Sequence, residues 1–388
     1  MTATGPSPLP TKNGPAVRPY RPVTDAAVAL ADGRVFRGRG FGAPDDADGE
    51  AVITTTMTGY QEVCTDPSFR GQIVCMTYPL IGNYGVSPSG DQSRQPWVAG
   101  LLVRELSETP SHWRSTGTLA EYLARHGIPG IAGIDTRAFA RHVRTVGDTR
   151  AVLVRDAAGS DDAALIERAR AAPLPGERDV VAEVMASDSE TSGPEGGPLV
   201  VILDCGVKRN IVDALVRHGA RVTVVPYGTS YAAIAALGPA GIVVSPGPGD
   251  PANLDHGLDV VRHIVADQVP YFGICLGHQL LARAIGAKTE KLRFGHRGGN
   301  HPVLDRATGR VTITSQNHGY RVDAASVPTA AGWRVSLLNL NDDSVEGLAN
   351  DALPVMTVQF HPEASPGPWD NDDLFGRYMG MVRGDVAR

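Results

Sequence analysis

The sequence is short of cysteine and of basic residues, and both shortages exclude classes of protein. Four cysteines occur in 388 residues, and no Cys-x-x-Cys pair is present. This argues against a disulfide-rich secreted domain and a cysteine zinc site, and it favours a reducing, cytoplasmic compartment. The 36 lysines and arginines are outnumbered by 42 aspartates and glutamates, without a basic stripe. A net charge of −6 therefore argues against a nucleic-acid-binding protein.

Long apolar runs and phosphate-binding signatures are also missing. No segment approaches membrane-spanning length, and residues 1–24 lack the apolar stretch of a signal peptide, so we predict a disordered extension there. Gly286-Ala287-Lys288-Thr289 fails the P-loop spacing, and we expect no ATP site in this chain. A metal site is conceivable from His296, His301 and His318, but their spacing does not support one, and we predict no metal.

A polar segment divides the chain into two regions with different patterns. Residues 185–198 are acidic and broken by glycine and proline, which predicts a linker. Residues 25–184 begin with a β-hairpin that turns at Asp32-Gly33, and they predict a smaller, mixed α+β domain. Residues 199–388 alternate apolar strands with helices. This pattern predicts an α/β domain with an open, mostly parallel sheet covered by helices on both faces.

The most informative stretch is Gly273-Ile274-Cys275-Leu276-Gly277, which connects an apolar strand to an apolar helix. A strand, a tight turn and a helix form a nucleophile elbow, here with a thiol at its apex. The glycines permit a strained turn, the helix start places partial positive charge beside the sulfur, and the Leu276 amide is positioned to stabilise an oxyanion. A small buried packing residue between two glycines explains this stretch equally well.

Two other apolar strands end in residues that suit the same chemistry. His361-Pro362-Glu363 follows one of them, with a histidine placed as a general base and a carboxylate to orient it. A second strand ends in a loop where Gly247 and Gly249 allow backbone amides to approach a ligand. Taken alone, the first is better explained as a capping histidine with a solvated glutamate, and the second as a plain turn. Because ligands bind beyond the carboxyl ends of parallel strands, we predict that they meet Cys275 in one site.

These motifs resemble those of the class I (triad) glutamine amidotransferases. Gly273–Gln279 matches the nucleophile motif of that family, and His361 and Glu363 match its base and acid. Over about residues 25–384 the sequence is also similar to the glutaminase (small) chains of carbamoyl-phosphate synthetases. The matching stretches are Met57–Glu62, Thr65–Ser68, Tyr78–Gly85, Gly206–Ile211, Phe294–Val303 and Ser315–Tyr320.

The resemblance implies covalent catalysis by cysteine. Cys275 attacks the side-chain amide of L-glutamine, forms a γ-glutamyl thioester and releases ammonia. His361 transfers the protons and Glu363 orients His361. The backbone amides of Gly249 and Leu276 match the oxyanion hole. The implied glutamine contacts are Thr56, where the family commonly has serine, Gly247, Gly249, Leu276, Gln279, Asn317, Gly319 and Tyr320.

The resemblance also implies two chains that divide the reaction. Ammonia passes to a large chain, which makes carbamoyl phosphate from bicarbonate for arginine and pyrimidine synthesis; we expect a heterodimer, or a higher oligomer of heterodimers. ATP and magnesium belong to that partner, and this chain needs no cofactor. Two alternatives are the glutaminase of another synthetase, such as those for anthranilate or GMP, and a regulatory subunit with an inactive site. Residues 58–62 argue against the first, and the intact Cys275, His361 and Glu363 against the second.

Overall fold

The first region of the chain is built on a closed β-barrel. The computed structural model describes residues 25–385, so the predicted extension over residues 1–24 lies outside the described residues. The strands of this region are β1 (Ala26–Leu30), β2 (Val35–Gly42), β3 (Ala47–Thr54), β4 (Gln72–Met76), β5 (Leu80–Ile81), β6 (Gly100–Val103), β7 (Glu105–Leu106), β8 (Pro129–Ala132) and β9 (Thr149–Val154). The barrel has the order β1-β2-β8-β6-β4-β3-β9, and β5 pairs with β7 outside it.

The α-helices of this region lie between and after the barrel strands along the chain. They are α1 (Tyr60–Thr65), α2 (Leu119–Arg125), α3 (Thr136–Val146), α4 (Asp162–Ala171) and α5 (Val180–Val184). Phe139 and Val143 of α3 join the apolar core formed by alternate residues of the barrel strands, such as Val28 and Ile73. Because successive strand residues face opposite sides, the intervening Ala27 and Ala29 of β1 contact α4 instead. The mixed α+β prediction for this region is therefore confirmed.

The predicted hairpin at Asp32-Gly33 forms, but its connection is longer than expected. β1 and β2 pair antiparallel, and four residues, 31–34, connect them instead of two. The Leu30 N–H donates to the Arg34 carbonyl at 2.8 Å. Gly33 has a φ of 106°, which lies in the left-handed region that favours glycine.

The second region is a ten-stranded sheet with helices on both faces. Its strands are β10 (Glu190–Ser192), β11 (Leu199–Asp204), β12 (Arg221–Pro226), β13 (Gly241–Val244), β14 (Tyr271–Ile274), β15 (Thr289–Asp305), β16 (Val311–Val322), β17 (Trp333–Asn339), β18 (Val345–Asn350) and β19 (Val355–Val358). Its helices are α6 (Arg209–Arg217), α7 (Tyr231–Ala236), α8 (Asp255–Ala266), α9 (Leu276–Ala284) and α10 (Asp373–Arg383).

The strand order is β10-β12-β11-β13-β14-β19-β18-β17-β15-β16, and its centre is parallel. The five strands from β12 to β19 run parallel, whereas the strands at both edges are antiparallel. Val201 and Leu203 of β11 pack on the face covered by α7, α8 and α9. Val200 and Ile202 pack on the opposite face, against α6 and α10. The predicted α/β architecture is confirmed, with antiparallel edges added to it.

The segment predicted as a linker contains β10. Its residues pair antiparallel with β12, and the Thr191 and Thr223 hydroxyl oxygens lie 2.9 Å apart. The Ala186 N–H also donates to the Asp204 carboxylate at 2.7 Å. Three polar residues that follow Ser187-Asp188-Ser189 and precede Gly193-Pro194 do not indicate a strand, because their pairing comes from the exposed edge of β12 and not from local propensity. The domain boundaries themselves stay a prediction.

Buried polar contacts join the barrel to the sheet. Arg297 of β15 forms an ion pair with Asp148 at 3.0 Å, and both side chains are at most 2% exposed. Burial raises the pKa of Asp148, and the Arg297 guanidinium opposes that rise. Asn317 of β16 donates to the Asp66 carboxylate at 3.0 Å. Across residues 25–385, no helix combines the length and apolarity that crossing a membrane requires.

Replacing Asp148 with alanine leaves the Arg297 charge buried without a partner. We expect Asp148→Ala to lower the free energy of unfolding by about 3–5 kcal/mol, measured by chemical denaturation. The matched control is Asp351→Ala, which removes an exposed partner of Arg334 at 2.9 Å, its side chain 77% exposed. That control should cost less than about 1 kcal/mol. Equal losses in the two variants would contradict a stabilising role for the buried pair.

Candidate active site

Cys275 lies at the junction of β14 and α9, with a backbone conformation that L-residues rarely adopt. Its φ is 51° and its ψ is −98°. A cysteine held there stores strain on the order of 1–3 kcal/mol, which the surrounding packing must offset. A Cβ at Gly277 would clash with the Val244 carbonyl, and one at Gly273 would crowd the Gly277 backbone. The strain therefore lies on the cysteine itself, and these two glycines allow close backbone approach instead of the strained turn predicted for them.

The sulfur of Cys275 is enclosed by strands on either side. The residue is 2% exposed, and its Sγ lies 3.8 Å from the Asn317 carbonyl oxygen. The Gln359 side-chain amide donates to Sγ at 3.5 Å and accepts from the Gln279 amide at 3.0 Å. Gln359 is not among the predicted site residues. Strand alternation could have identified Gln359, because a residue two positions before His361 lies on the same side of an extended segment.

His361 and Glu363 form a buried hydrogen-bonded pair. His361 Nδ1 and Glu363 Oε1 are 2.7 Å apart, and both side chains are at most 1% exposed. Burial alone would lower the pKa of His361, but the Glu363 carboxylate outweighs it, and the Cys275 thiol adds to the rise, to about 10. Nε2 has no hydrogen-bond partner that meets distance and angle limits among the described residues. The imidazole therefore has one nitrogen fixed and the other free for proton transfer.

Lys208 is a further buried member of this group. It is 1% exposed, its Nζ lies 3.0 Å from Glu363 Oε1, and it donates to the Ala364 carbonyl at 2.7 Å. Burial would raise the pKa of Glu363, but Lys208 and then His361 outweigh burial and lower it to about 2. Lys208 is absent from the predicted site. A lysine just before a helix usually lies in solvent, and only the match of Gly206–Ile211 to a family stretch singled it out.

Most of the predicted glutamine contacts line one small pocket beside Cys275. Its wall includes Gly247, Gly249, Gln279, Asn317, Gly319 and Tyr320 from the sheet region, and Glu50, Gln72 and Gly176 from the barrel region. The open volume is about 40 Å³, enough for a few water molecules and too little for glutamine. Access for a glutamine therefore requires the wall to open.

Two predicted contacts do not line this pocket. Thr56 is buried at 6% exposure, and its hydroxyl oxygen lies 2.9 Å from that of Thr54. Leu276 is 1% exposed at the start of α9, packed in the apolar core. The part of Leu276 that matters for an oxyanion is its backbone N–H, which the first turn of a helix leaves without an intrahelical partner.

The loop after β13 approaches the site because its glycines permit it. A Cβ at Gly247 would clash with the Cys205 carbonyl, so only glycine fits against the end of β11. Gly249 has a φ of 94°, in the region that favours glycine. The Ser245 hydroxyl accepts from the Cys205 N–H at 2.9 Å and ties the loop to β11. These constraints hold backbone amides near the pocket that Gly247 and Gly249 line.

Ionic side chains from both regions also border the pocket. Lys291 Nζ and Glu50 Oε1 are 2.7 Å apart, and Gln72 donates to the other Glu50 oxygen at 2.8 Å. Arg297 lies in the same wall. A free amino acid carries an ammonium and a carboxylate, and a wall with both signs of charge suits it. These residues were not predicted, because they meet only when the barrel packs on the sheet.

Three residues that could hold a metal also come together. His296, His318 and Glu346 each offer an atom within 4.8 Å of the others. Most of these atoms already have partners: His318 contacts Gln316 and the Tyr320 carbonyl, and Glu346 accepts from Gln316 and Asn339. Among them only His296 Nδ1 is without one. A donor set engaged in this way suits a polar network better than a cation.

Comparisons with known proteins cover both regions of the chain. Residues 28–153 match the family described as carbamoyl-phosphate synthase small chain, CPSase domain. Residues 201–381 match the family described as glutamine amidotransferase class-I.

Curated relatives match almost the whole chain. The carbamoyl phosphate synthase small chain of Symbiobacterium thermophilum is 50% identical, covering 91% of this chain and 97% of its own. That of Methanopyrus kandleri is 48% identical, covering 92% and 99%. The carbamoyl phosphate synthase pyrimidine-specific small chain of Bacillus subtilis is 45% identical, covering 92% and 95%. The chain belongs to the carbamoyl phosphate synthase small chain family and carries a class I glutamine amidotransferase domain.

Proposed function

We propose that this chain hydrolyses L-glutamine through a cysteine thioester and supplies the ammonia to a large, ATP-using partner. The observation that carries the proposal is that the Cys275 thiol lies within hydrogen-bonding reach of His361, which is paired with Glu363, and lines a pocket together with Gln279 and Asn317. A thiol on a strained backbone, an imidazole held in place and a carboxylate that orients it are the groups that nucleophilic acyl transfer requires.

The first half of the reaction forms the thioester. The Cys275 sulfur attacks the side-chain carbonyl carbon of glutamine as its thiol proton passes to His361 Nε2, and the amides of Gly249 and Leu276 stabilise the oxyanion. The carbon–nitrogen bond then breaks as His361 Nε2 donates a proton to the leaving nitrogen, which departs as ammonia. The raised pKa of His361, about 10, favours the imidazolium, so the proton taken from the thiol is held at Nε2 until the leaving nitrogen accepts it.

The second half regenerates the thiol. His361, now neutral, accepts a proton from a water molecule, and the resulting hydroxide attacks the thioester carbon. The carbon–sulfur bond breaks, glutamate leaves, and the sulfur and the imidazole return to their starting states. Glu363 and Lys208 act as positioning residues: the carboxylate holds Nδ1 at 2.7 Å, and the lysine keeps the carboxylate ionised.

Recognition of glutamine follows from the pocket wall. Gln279 donates to the Tyr320 carbonyl at 3.2 Å and to Gln359, so it connects the strands on either side of Cys275. We assign the glutamine contacts to Thr56, Gly247, Gly249, Leu276, Gln279, Asn317, Gly319 and Tyr320. Thr56 lies behind the wall in the closed pocket, and its role requires the opening that glutamine access demands.

The partner completes the synthesis. The relatives are named as small chains of a synthase, which supports a heterodimer with a large chain. We assign ATP, magnesium and the formation of carbamoyl phosphate from bicarbonate to that chain, because this sequence lacks a P-loop. The product would feed pyrimidine and arginine synthesis, and a relative named as pyrimidine-specific supports the first. We place the complex in the cytoplasm.

Replacing Cys275 with serine separates the two reactions. In the complex with the large chain, Cys275→Ser should abolish glutamine-dependent synthesis of carbamoyl phosphate, while synthesis from added ammonia continues, since only the nucleophile is lost. Cys64→Ala, which removes a buried thiol of the barrel region, is the matched control and should keep both activities. A normal glutamine-dependent rate in Cys275→Ser would exclude Cys275 as the nucleophile.

Replacing His361 should trap the covalent intermediate. In His361→Asn the base that activates water is gone, so deacylation slows. Acylation slows as well, because His361 protonates the leaving nitrogen, so the γ-glutamyl group should accumulate on the protein over long incubation with glutamine. Intact-mass spectrometry after mixing with glutamine should show one such adduct, and Cys275→Ser should show none. Failure to observe an adduct at any time or pH would count against covalent catalysis.

Replacing Gln279 should weaken glutamine binding selectively. We expect Gln279→Ala to raise KM for glutamine about tenfold through the loss of buried hydrogen bonds, with ammonia-dependent synthesis unchanged. Gln92→Ala is the control, because Gln92 is buried and contacts the Asn210 N–H outside the pocket. An unchanged KM in Gln279→Ala would remove this residue from the binding site.

A further inference from the structure

A cavity on the barrel region is lined by four arginines. It has a volume of about 660 Å³ and lies between α3 and the ends of β3 and β4. Arg137, Arg141 and Arg144 come from α3, and Arg104 comes from the chain just after β6. We call these four residues the arginine face. All four are exposed, and they share the cavity with the hydroxyl groups of Thr55, Thr77 and Thr136 and the apolar side chains of Ile53, Pro79 and Ala140.

The arginine face has a surplus of positive charge. Asp135 is the carboxylate in the described lining, so four arginines and one aspartate leave a net charge of +3. That carboxylate already accepts the Ala138 N–H at 2.9 Å and caps α3. Over the described chain, none of the four arginines has a carboxylate within ion-pair distance. Arg104 has only a 3.5 Å contact with the Ile134 carbonyl, and Arg144 lies 5.7 Å from the Phe294 ring centroid.

Repulsion between these arginines destabilises α3 in the isolated chain. Arg137, Arg141 and Arg144 lie four and three residues apart on α3, so they are neighbours on one face of the helix. Like charges at this spacing destabilise a helix, and in a chain of net charge −6 such a cluster is out of keeping with the composition. An anionic partner would turn the repulsion into attraction.

One hydrogen bond connects the lining of the arginine cavity to the lining of the glutamine pocket. Thr55 lines the arginine cavity, and its N–H donates to the Arg297 carbonyl at 3.1 Å. Arg297 in turn lines the pocket beside Cys275. Met57, two residues after Thr55, is 71% exposed, and Tyr78, between two lining residues, is 37% exposed. Methionine, tyrosine and arginine are enriched at protein–protein interfaces.

We propose that the arginine face docks an acidic segment, rich in aspartate and glutamate, of the large ATP-using chain. The inference rests on the proposed function, which requires a partner close to the site that releases ammonia. Exposed arginines around an open cavity suit a protein surface, whereas a small anion is usually held by buried donors. Arginine is also the residue that pairs with carboxylates through two parallel hydrogen bonds.

The test measures binding of the full chain to the large chain from the same source. Arg141→Glu should weaken the Kd at least about tenfold, and it should lessen the loss of affinity caused by added salt, since rim charges act through screened attraction. Arg104→Glu, on a different element, should act in the same direction. Arg262→Glu on α8, also an exposed helical arginine, is the matched control and should change Kd less than about twofold. Glutaminase activity of the isolated chain should be unchanged in all three variants.

The possible outcomes separate the docking proposal from the proposed function. If Arg141→Glu and Arg104→Glu bind the large chain as tightly as wild type, the docking proposal is wrong and the proposed function is untouched. A wild-type chain that neither hydrolyses glutamine nor binds the large chain would overturn the proposed function. If Arg141→Glu changes only the sedimentation of the isolated chain, the occupant is a second copy. Calorimetric binding of inorganic phosphate, lost in Arg141→Glu without effect on the large chain, would assign the face to a small anion. Either result overturns the proposal.

Discussion

The site depends on one buried series of charges that runs from Lys208 through Glu363 to His361. A carboxylate with no exposure would normally be neutral, and a neutral Glu363 would neither hold the Nδ1 proton of His361 nor stabilise an imidazolium. Lys208 at 3.0 Å keeps it ionised, and Glu363 in turn raises the pKa of His361. The His361–Glu363 pair therefore relies on a lysine just before α6 and not only on the residues around Cys275.

How much of this could be predicted from the sequence depends on how local each signal is. Cys275, His361 and Glu363 each follow an apolar strand, and parallel strands necessarily bring their carboxyl ends to one edge of the sheet. Lys208 contacts the Ala364 carbonyl across 156 residues, and nothing near it in sequence indicates burial. β10 could not be predicted from its own sequence either, because its polar residues form a strand only by pairing with the edge of β12.

The barrel region supplies residues to the wall of the pocket. Glu50 and Gln72 reach the wall from β3 and β4, and Lys291 and Arg297 meet them from β15. None of these contacts follows from strand or helix patterns, because each joins residues that belong to separate cores. The candidate site of the sheet region is thus bordered by a region that supplies none of Cys275, His361 and Glu363.

The contacts that hold the pocket wall and the two regions together differ in how much free energy their loss would cost. This difference indicates where the wall can open. The side chains of Arg297 and Asp148 are both nearly fully buried. Separating them would leave each charge buried without its partner, which is strongly destabilising. Lys291 is 41% exposed, but its partner Glu50 is only 5% exposed, so separating them would leave a buried carboxylate with Gln72 as its remaining hydrogen-bond donor. The Gly176 carbonyl is held by the Asn253 side chain at 2.8 Å in an exposed position, where solvent can replace the contact. Of these contacts, the Asn253–Gly176 hydrogen bond is therefore the easiest to open, while the Arg297–Asp148 and Lys291–Glu50 pairs keep the two regions together.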